Sequence, residues 1–275
     1  MGMAEPLIDF IREHRSLTIL LILGPALIYL AIYFFAPFLI TILYSIGFIG
    51  RRGVITWKVT IEFYRQAFRG VYLKVFYNSI VLAAITTLGT LVMSYPLAYY
   101  LALKAPKKWK NTLVIGIIVP YWVSFLLRTY ALMNILTMLG QMFTYEAVVI
   151  GMVYDYLPFM ILPLYASLEK LDKSLLEASY TLGASPLKTF LKVTLPLSKP
   201  GIASGTILVF VPAIGEFVVP VMLGGASVPT IGVITWNLFL KFHNWWRGAA
   251  LSILYIAVVL AALIIYVKKV GELEI

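Results

Sequence analysis

Cysteine is absent from this sequence. Its absence removes disulfides, thiolate metal sites and thiol nucleophiles together, and it leaves the redox compartment unspecified. Charge is scarce as well: Asp, Glu, Lys and Arg make up 12% of the residues, about half the roughly 25% usual in a soluble globular chain. Histidine occurs only at His14 and His243, both outside the hydrophobic runs. No metal-ligand spacing and no nucleophile–base pair is present, so a membrane enzyme is the weakest reading. There is no Gly-x-x-x-x-Gly-Lys-Ser/Thr loop either, and an ATP-driven machine containing this chain must borrow its ATPase.

What is abundant is apolar surface. Hydrophobic residues are 61% of the chain and the mean hydropathy is +0.94, which excludes an ordinary soluble globule and defines a polytopic membrane protein. Charge-free runs cover 16–50, 75–103, 111–127, 217–240 and 248–267, and 129–168 and 200–220 are interrupted only by isolated charges. A spanning helix needs roughly 20 residues, so six spans are predicted at 17–44, 75–103, 110–133, 146–167, 199–221 and 247–268. The expectation is an all-α protein with six transmembrane helices. The first run has the basic start and apolar core of a signal peptide but is too long for one, and it is expected to stay in the mature protein. No long repeat or linker divides the chain. It reads as one membrane domain over 16–275 behind an amphipathic segment at 1–15, whose Leu7, Ile8, Phe10 and Ile11 suit a membrane surface.

The net charge of +10 does not indicate nucleic acid, because the basic residues are spread over loops between membrane segments and form no single soluble face. With six spans both termini share a side. Placing them inside puts 13 of the 22 Lys and Arg in the cytoplasm and eight outside, with Arg128 inside a span, so the positive-inside rule favours cytoplasmic termini. The basic loop at 51–74 dissents. A short amphipathic segment at the outer surface is expected there, seated among headgroups by Trp57, Tyr64, Phe68 and Tyr72.

Between the fourth and fifth spans lies a charged insert at 168–196. Leu168, Leu171, Leu175, Ala178 and Leu182 recur at helical spacing, with Glu169, Lys170, Asp172, Lys173 and Glu177 mostly off that stripe. Gly183 suits a left-handed C-terminal cap. Ser185 can cap a second helix with Pro186 in its first turn, and Leu195-Pro196 and Pro200-Gly201 end that helix and begin the next span. The plain alternative is a surface helix joining two spans.

Charged residues at membrane depth are functional candidates because burying them costs several kcal/mol. Arg128 lies about 27 Å along a helix from Lys110, near the far face, where snorkelling to the interface is expected. Asp155 lies about 13 Å into its span and Glu216 about 24 Å past Pro200. Their carboxylates either pair with Arg128 or another subunit, or line a polar pathway that attracts a cation. Tyr121, Trp122, Tyr154, Tyr156 and Phe217 offer aromatic faces nearby, though packing alone accounts for any one of them. Prolines within the spans, including Pro120, Pro158, Pro163, Pro212 and Pro220, free carbonyls and make the third, fourth and fifth spans plausible walls of a route.

The pattern Glu177-Ala178-Ser179, Gly183 and Val193-Thr194-Leu195-Pro196 resembles the cytoplasmic loop of ABC-importer permeases, with Ser179 for Ala and Val193 for Ile. Pro120-Tyr121-Trp122, the stretch from Tyr156-Leu157-Pro158-Phe159 to Pro163-Leu164-Tyr165, Glu169-Lys170-Leu171-Asp172-Lys173 and 212–220 followed by Leu223-Gly224-Gly225 resemble the spermidine/putrescine branch of that family. The resemblance implies a type I importer fold in a bacterial inner membrane. It implies a second permease, two ATPase subunits that bind ATP and Mg, and an external solute-binding protein, with no cofactor on this chain. On this reading Glu177, Ala178, Gly183, Pro186, Leu195 and Pro196 shape helices that dock on the ATPase, and Asp155, Glu216, Tyr121, Trp122 and Phe217 border the path of a cationic polyamine. An importer of another small solute, or a self-contained channel or carrier, are the competing expectations.

Overall fold

The structure, a computed structural model, describes residues 15–50, 54–56, 58–225 and 227–271, with side chains from 23 to 268. The amphipathic segment expected at 1–15 therefore lies outside the described residues except for Arg15, as do Trp57, Arg51 and Arg52. Helix α1 runs Arg15–Leu30, passes through a wider π turn at Ala31–Phe35 and continues as Ala36–Ser45. A short α2, Glu62–Ala67, precedes the long α3, Gly70–Lys104. Then come α4, Lys107–Trp122, α5, Phe125–Met138, and α6, Tyr145–Glu169. The insert forms α7, Lys173–Thr181, and α8, Pro186–Leu197. The chain closes with α9, Lys199–Gly215, a short apolar α10, Ile231–Lys241, and α11, Trp245–Gly271. Among the described residues four helices are long and apolar enough to cross a membrane, and the number rises to six when each of two bent pairs is taken as one span.

Helices α3, α6 and α9 pack against one another at the centre. In a bilayer such packing cannot rely on expelling water, so small residues that let backbones approach must supply the contact. Ser79, Ala83, Thr86, Thr87, Thr90, Ser94 and Ala98 form a buried face on α3 at helical spacing. Their hydroxyls are satisfied locally, as where Ser79 and Thr87 bond the carbonyls of Val75 and Ala83 at 3.0 and 2.7 Å. A methyl group on Gly201 would come within 2.5 Å of Ser167 Cβ and 2.9 Å of the Pro163 carbonyl, so α9 meets α6 at backbone contact there. By contrast the membrane window of α1 buries no residue within the chain; only its C-terminal end packs on α11.

The third and fifth spans, both carrying prolines, are not single continuous helices. The third is bent by 88° between α4 and α5. Pro120 removes a backbone donor, Val119–Trp122 tighten into a 3-10 turn, and Val123 and Ser124 adopt extended backbone. The fifth span ends at Gly215, six residues short of the expected 221, because Glu216 is extended (φ −61, ψ 131) and a separate π turn follows at Pro220–Gly224. The apolar run after it, too short to cross, forms α10, whose Ile231 amide donates to Ser79 Oγ at 2.7 Å.

Each helix end can be assigned to one of two faces. Glu169 leads into the insert and contacts Lys110 at 2.7 Å, so the starts of α4 and α9, the end of α3 and the insert share a face. The end of α1, all of α2 and the starts of α3, α6 and α11 lie at the opposite one.

Candidate functional site

The insert folds as its capping residues dictate. Asp172 accepts from the Ser174 amide at 2.9 Å and opens α7. That α7 ends in a Schellman motif: Gly183 has φ +77, its amide donates to the Tyr180 carbonyl at 2.9 Å, and the Ala184 amide reaches Ser179 at 3.1 Å. Ser185 Oγ then accepts from the Lys188 amide at 3.3 Å, with Pro186 at the first position of α8. Ser179 and Thr189 hydroxyls, 2.8 Å apart, tie the two helices together. Glu177, Ala178 and Pro196 are exposed and Leu195 is partly buried. The apolar stripe of α7 does not pack inward at its far end: Leu182 is 87% exposed, and Leu187 beyond the turn is 68% exposed. The insert presents an apolar tip that none of the described residues covers.

The insert is also joined firmly to the membrane core. Beyond α8 the chain turns by 64° at Ser198. The buried Ser198 hydroxyl lies 2.7 Å from Tyr95 Oη and 3.0 Å from the Leu195 carbonyl. Phe190 meets Tyr95 edge-on at 5.4 Å and Tyr99 at 6.2 Å. On the other side of the insert, Lys110 Nζ contacts Glu169 Oε1 at 2.7 Å and lies 5.4 Å from the centre of the Tyr165 ring. None of Tyr95, Phe190 or Ser198 carries a sequence signal, since the pairing joins segments about a hundred residues apart.

At membrane depth the structure makes two clusters from the predicted residues. In the first, Asp155 falls on the buried stripe of α6 with Val148 and Met152 and is 4% exposed. Its Oδ1 lies 3.5 Å from Arg128 Nη2, and its Oδ2 lies 3.2 Å from Thr129 Oγ1. The Arg128 guanidinium sits 4.2 Å from the centre of the Tyr121 ring and 5.8 Å from that of Tyr154, while Tyr121 Oη donates to the Tyr154 carbonyl at 2.8 Å. Snorkelling of Arg128 is therefore corrected: the bend after Pro120 turns α5 back over α6, and the Arg128 side chain is 10% exposed. Asp155 thus lies in ion-pair contact with Arg128, and the Tyr121 ring borders that pair.

The second cluster centres on Glu216, at the break after α9. Its Oε1 accepts from the Phe217 and Val218 amides at 3.0 and 2.8 Å, and Tyr156 Oη donates to its Oε2 at 3.0 Å. The carboxylate thus caps the turn that follows, in the way an acidic group suits the start of a helix. It is partly exposed, and no cation lies in ion-pair contact with it among the described residues. Phe217 stacks on Trp236 with ring centres 6.1 Å apart. Both rings border a largely apolar cavity of about 450 Å³ shared with Gly215, Gly232, Ser252 and Tyr255. Trp122 is 81% exposed and joins neither cluster. Sequence reasoning did not single out Trp236 or Tyr255, which become neighbours of Phe217 only through packing of α10 and α11 against α9. Among the described residues no group of three His, Asp or Glu is placed to hold a metal ion.

A helical membrane chain with a capped two-helix insert on one face is the architecture of an ABC importer's membrane subunit. The chain superposes on a subunit of a bacterial ABC transporter involved in import of the acidic polysaccharide alginate with a TM-score of 0.70, at 15% identity, covering 97% of this chain and 99% of that one. The fold is accordingly the type I importer permease fold. The profile of the family described as binding-protein-dependent transport system inner membrane component matches residues 7–268, and the chain belongs to that family. It is 41% identical over 224 residues to the spermidine/putrescine transport system permease protein PotB of Escherichia coli (strain K12), covering 75% of this chain and 81% of that protein. To the PotB of Haemophilus influenzae it is 38% identical over 261 residues, covering 88% and 90%.

Proposed function

We propose that this chain is one of two permease subunits of an ATP-driven importer that moves a polyamine across the inner membrane, with both termini in the cytoplasm. Two ATPase subunits would seat on the insert, and a solute-binding protein would deliver cargo to the other face. The named relatives support the polyamine class. The observation that carries it is Glu216: a carboxylate at membrane depth, partly open, held in place by three hydrogen bonds and, among the described residues, in ion-pair contact with no cation. An ammonium beside it would gain Coulomb energy that a neutral solute would not, on the order of 4 kcal/mol at contact distance with an effective dielectric near 20. Tyr156 and the Phe217–Trp236 stack would add cation–π and apolar contact for an amine and its methylene chain. Asp155 is assigned a different task, since its charge is already answered by Arg128: it holds α5 against α6.

For coupling, the exposed Leu182 and Leu187 and the charged flank bearing Glu177 would enter a groove of the ATPase. Closure of the ATPase pair would swing α7 and α8 as one unit, and Ser198, Phe190 and the Lys110–Glu169 contact would pass that movement to α3, α4 and α9. The test is ATPase stimulation of the complete reconstituted complex by binding protein loaded with putrescine, spermidine or unrelated solutes. Stimulation by a polyamine is expected. Stimulation by an unrelated solute alone would favour the second reading, an importer of another small molecule, which the shared fold with an alginate importer keeps in view.

A further inference from the structure

We infer that Arg65, Arg69, Lys241 and Arg247 form a docking rim for an acidic face of the solute-binding protein. The inference rests on the importer reading above and names how the partner on the delivery face is recognised. These residues come from two segments far apart in sequence, which packing brings together at the end of the bundle opposite the insert. Phe63 of α2 stacks on Trp246 of α11 at 6.3 Å, and Trp246 Nε1 donates to the Ile49 carbonyl at 2.7 Å. Arg65 and Arg247 therefore flank one aromatic joint. Arg69 lies two residues past α2 at the N-cap of α3, and Lys241 ends α10 at the turn where Asn244 caps α11.

All four cations are exposed, and none has an ion-pair partner among the described residues. The acidic residue within these two segments, Glu62, accepts from Gln66 Nε2 at 3.1 Å instead. Such a rim would repel a free polycation approaching from that side. An acidic protein surface reverses the sign: it would be attracted to the rim and would screen it while the cargo passes.

A bilayer of anionic headgroups is the competing counter-charge, and the aromatic residues argue against it. Tyr64, expected from sequence among the headgroups, bonds Ser45 Oγ at 2.6 Å, Phe63 faces Trp246, and Tyr72 packs on the core. Of the rings expected to seat this segment among headgroups, Tyr64 and Tyr72 are thus engaged inside the chain. Phe68 and Phe242 remain exposed beside the cations, the mixture of arginine and aromatic surface that protein interfaces favour.

The test uses the complete transporter in nanodiscs and purified solute-binding protein loaded with spermidine, with ATPase rate titrated against binding-protein concentration at low and high salt. In R65E/R69E/R247E the half-saturating concentration should rise about tenfold or more at low salt. The gap should narrow at high salt, where charges are screened within a few ångströms, and the rate at saturation should be kept. The neutral variant R65Q/R69Q should show a smaller shift in the same direction, and reports if the reversal variant does not assemble. Equal half-saturation in variants and wild type at low salt would overturn the inference. So would half-saturation that follows the anionic-lipid fraction of the disc and, in discs without anionic lipid, is the same in variants and wild type, which would assign the rim to headgroups. No stimulation of the wild type by any polyamine-loaded binding protein would instead remove the importer reading on which the rim depends.

Discussion

Tyr95 Oη and Ser198 Oγ stand 2.7 Å apart across 103 residues of chain. This contact fixes the bend at which the insert becomes α9, and through Phe190 it sets that bend against α3. Tyr95→Phe leaves Ser198 bonded to the Leu195 carbonyl, so the loss is one membrane hydrogen bond, about 0.6–1.7 kcal/mol. Folding should survive. Transport per ATP hydrolysed should fall, and Ser198→Ala should lower it similarly; an unchanged uptake-to-hydrolysis ratio in both variants would show that the joint carries no movement.

Gly183 holds φ +77 with no heavy atom within 4 Å of where a Cβ would lie, so substitution there is a matter of backbone strain alone. Gly183→Val should cost about 1–2 kcal/mol and reduce binding-protein-stimulated ATPase activity. Gly183→Asn, which tolerates the left-handed region, should retain most of it. Equal loss in both would mean that side-chain bulk against the ATPase, and not conformation, is what matters.

Arg128 and Asp155 are buried together, and removing one leaves the other charged. Either Arg128→Gln or Asp155→Asn should lower the thermal midpoint of the detergent-solubilised complex, by an amount corresponding to about 3–5 kcal/mol. The double substitution should recover part of that loss. Strict additivity of the two single effects would refute the pair as the reason for either.

Asp172 caps α7, and the bond from the Ser174 amide holds its carboxyl below the usual carboxylate range. A folded value below the unfolded one contributes stability that is full above the unfolded value and is lost as pH falls through the folded one. Protection of 173–181 against hydrogen exchange, taken relative to the intrinsic amide rate, should therefore persist to pH values under the ordinary Asp range and fall at lower pH. Asp172→Ala should show lowered protection without that pH dependence.

Glu216→Gln keeps an oxygen for the Phe217 and Val218 amides while removing the charge, so the turn should persist. Polyamine uptake by the intact complex should drop about tenfold or more, equivalent to ~1.4 kcal/mol or more of lost attraction. Asp155→Asn, by contrast, should act on stability. Unchanged uptake in Glu216→Gln would end the carboxylate account of selectivity.

Much of this was legible before any coordinates, because local rules dictate it. Spans follow from hydrophobic run length, and Asp172, Gly183, Ser185 and Pro186 specify their caps through their own backbone preferences. The family spacing around Glu177 and Leu195-Pro196 is a property of the string itself. The sequence by itself thus determined an all-α membrane protein, the count of its spans and the shape of its insert. Only the tertiary structure decided which groups each intramembrane charge meets. Helical distance placed Arg128 near a surface, but a bend at Pro120 folded it onto Asp155. Run length carried the fifth span through Glu216, but the helix stops there, its side chain bonded to the next two amides and to Tyr156 Oη. Pairings of this kind depend on which helices lie side by side, and no periodicity within a single helix records its neighbours.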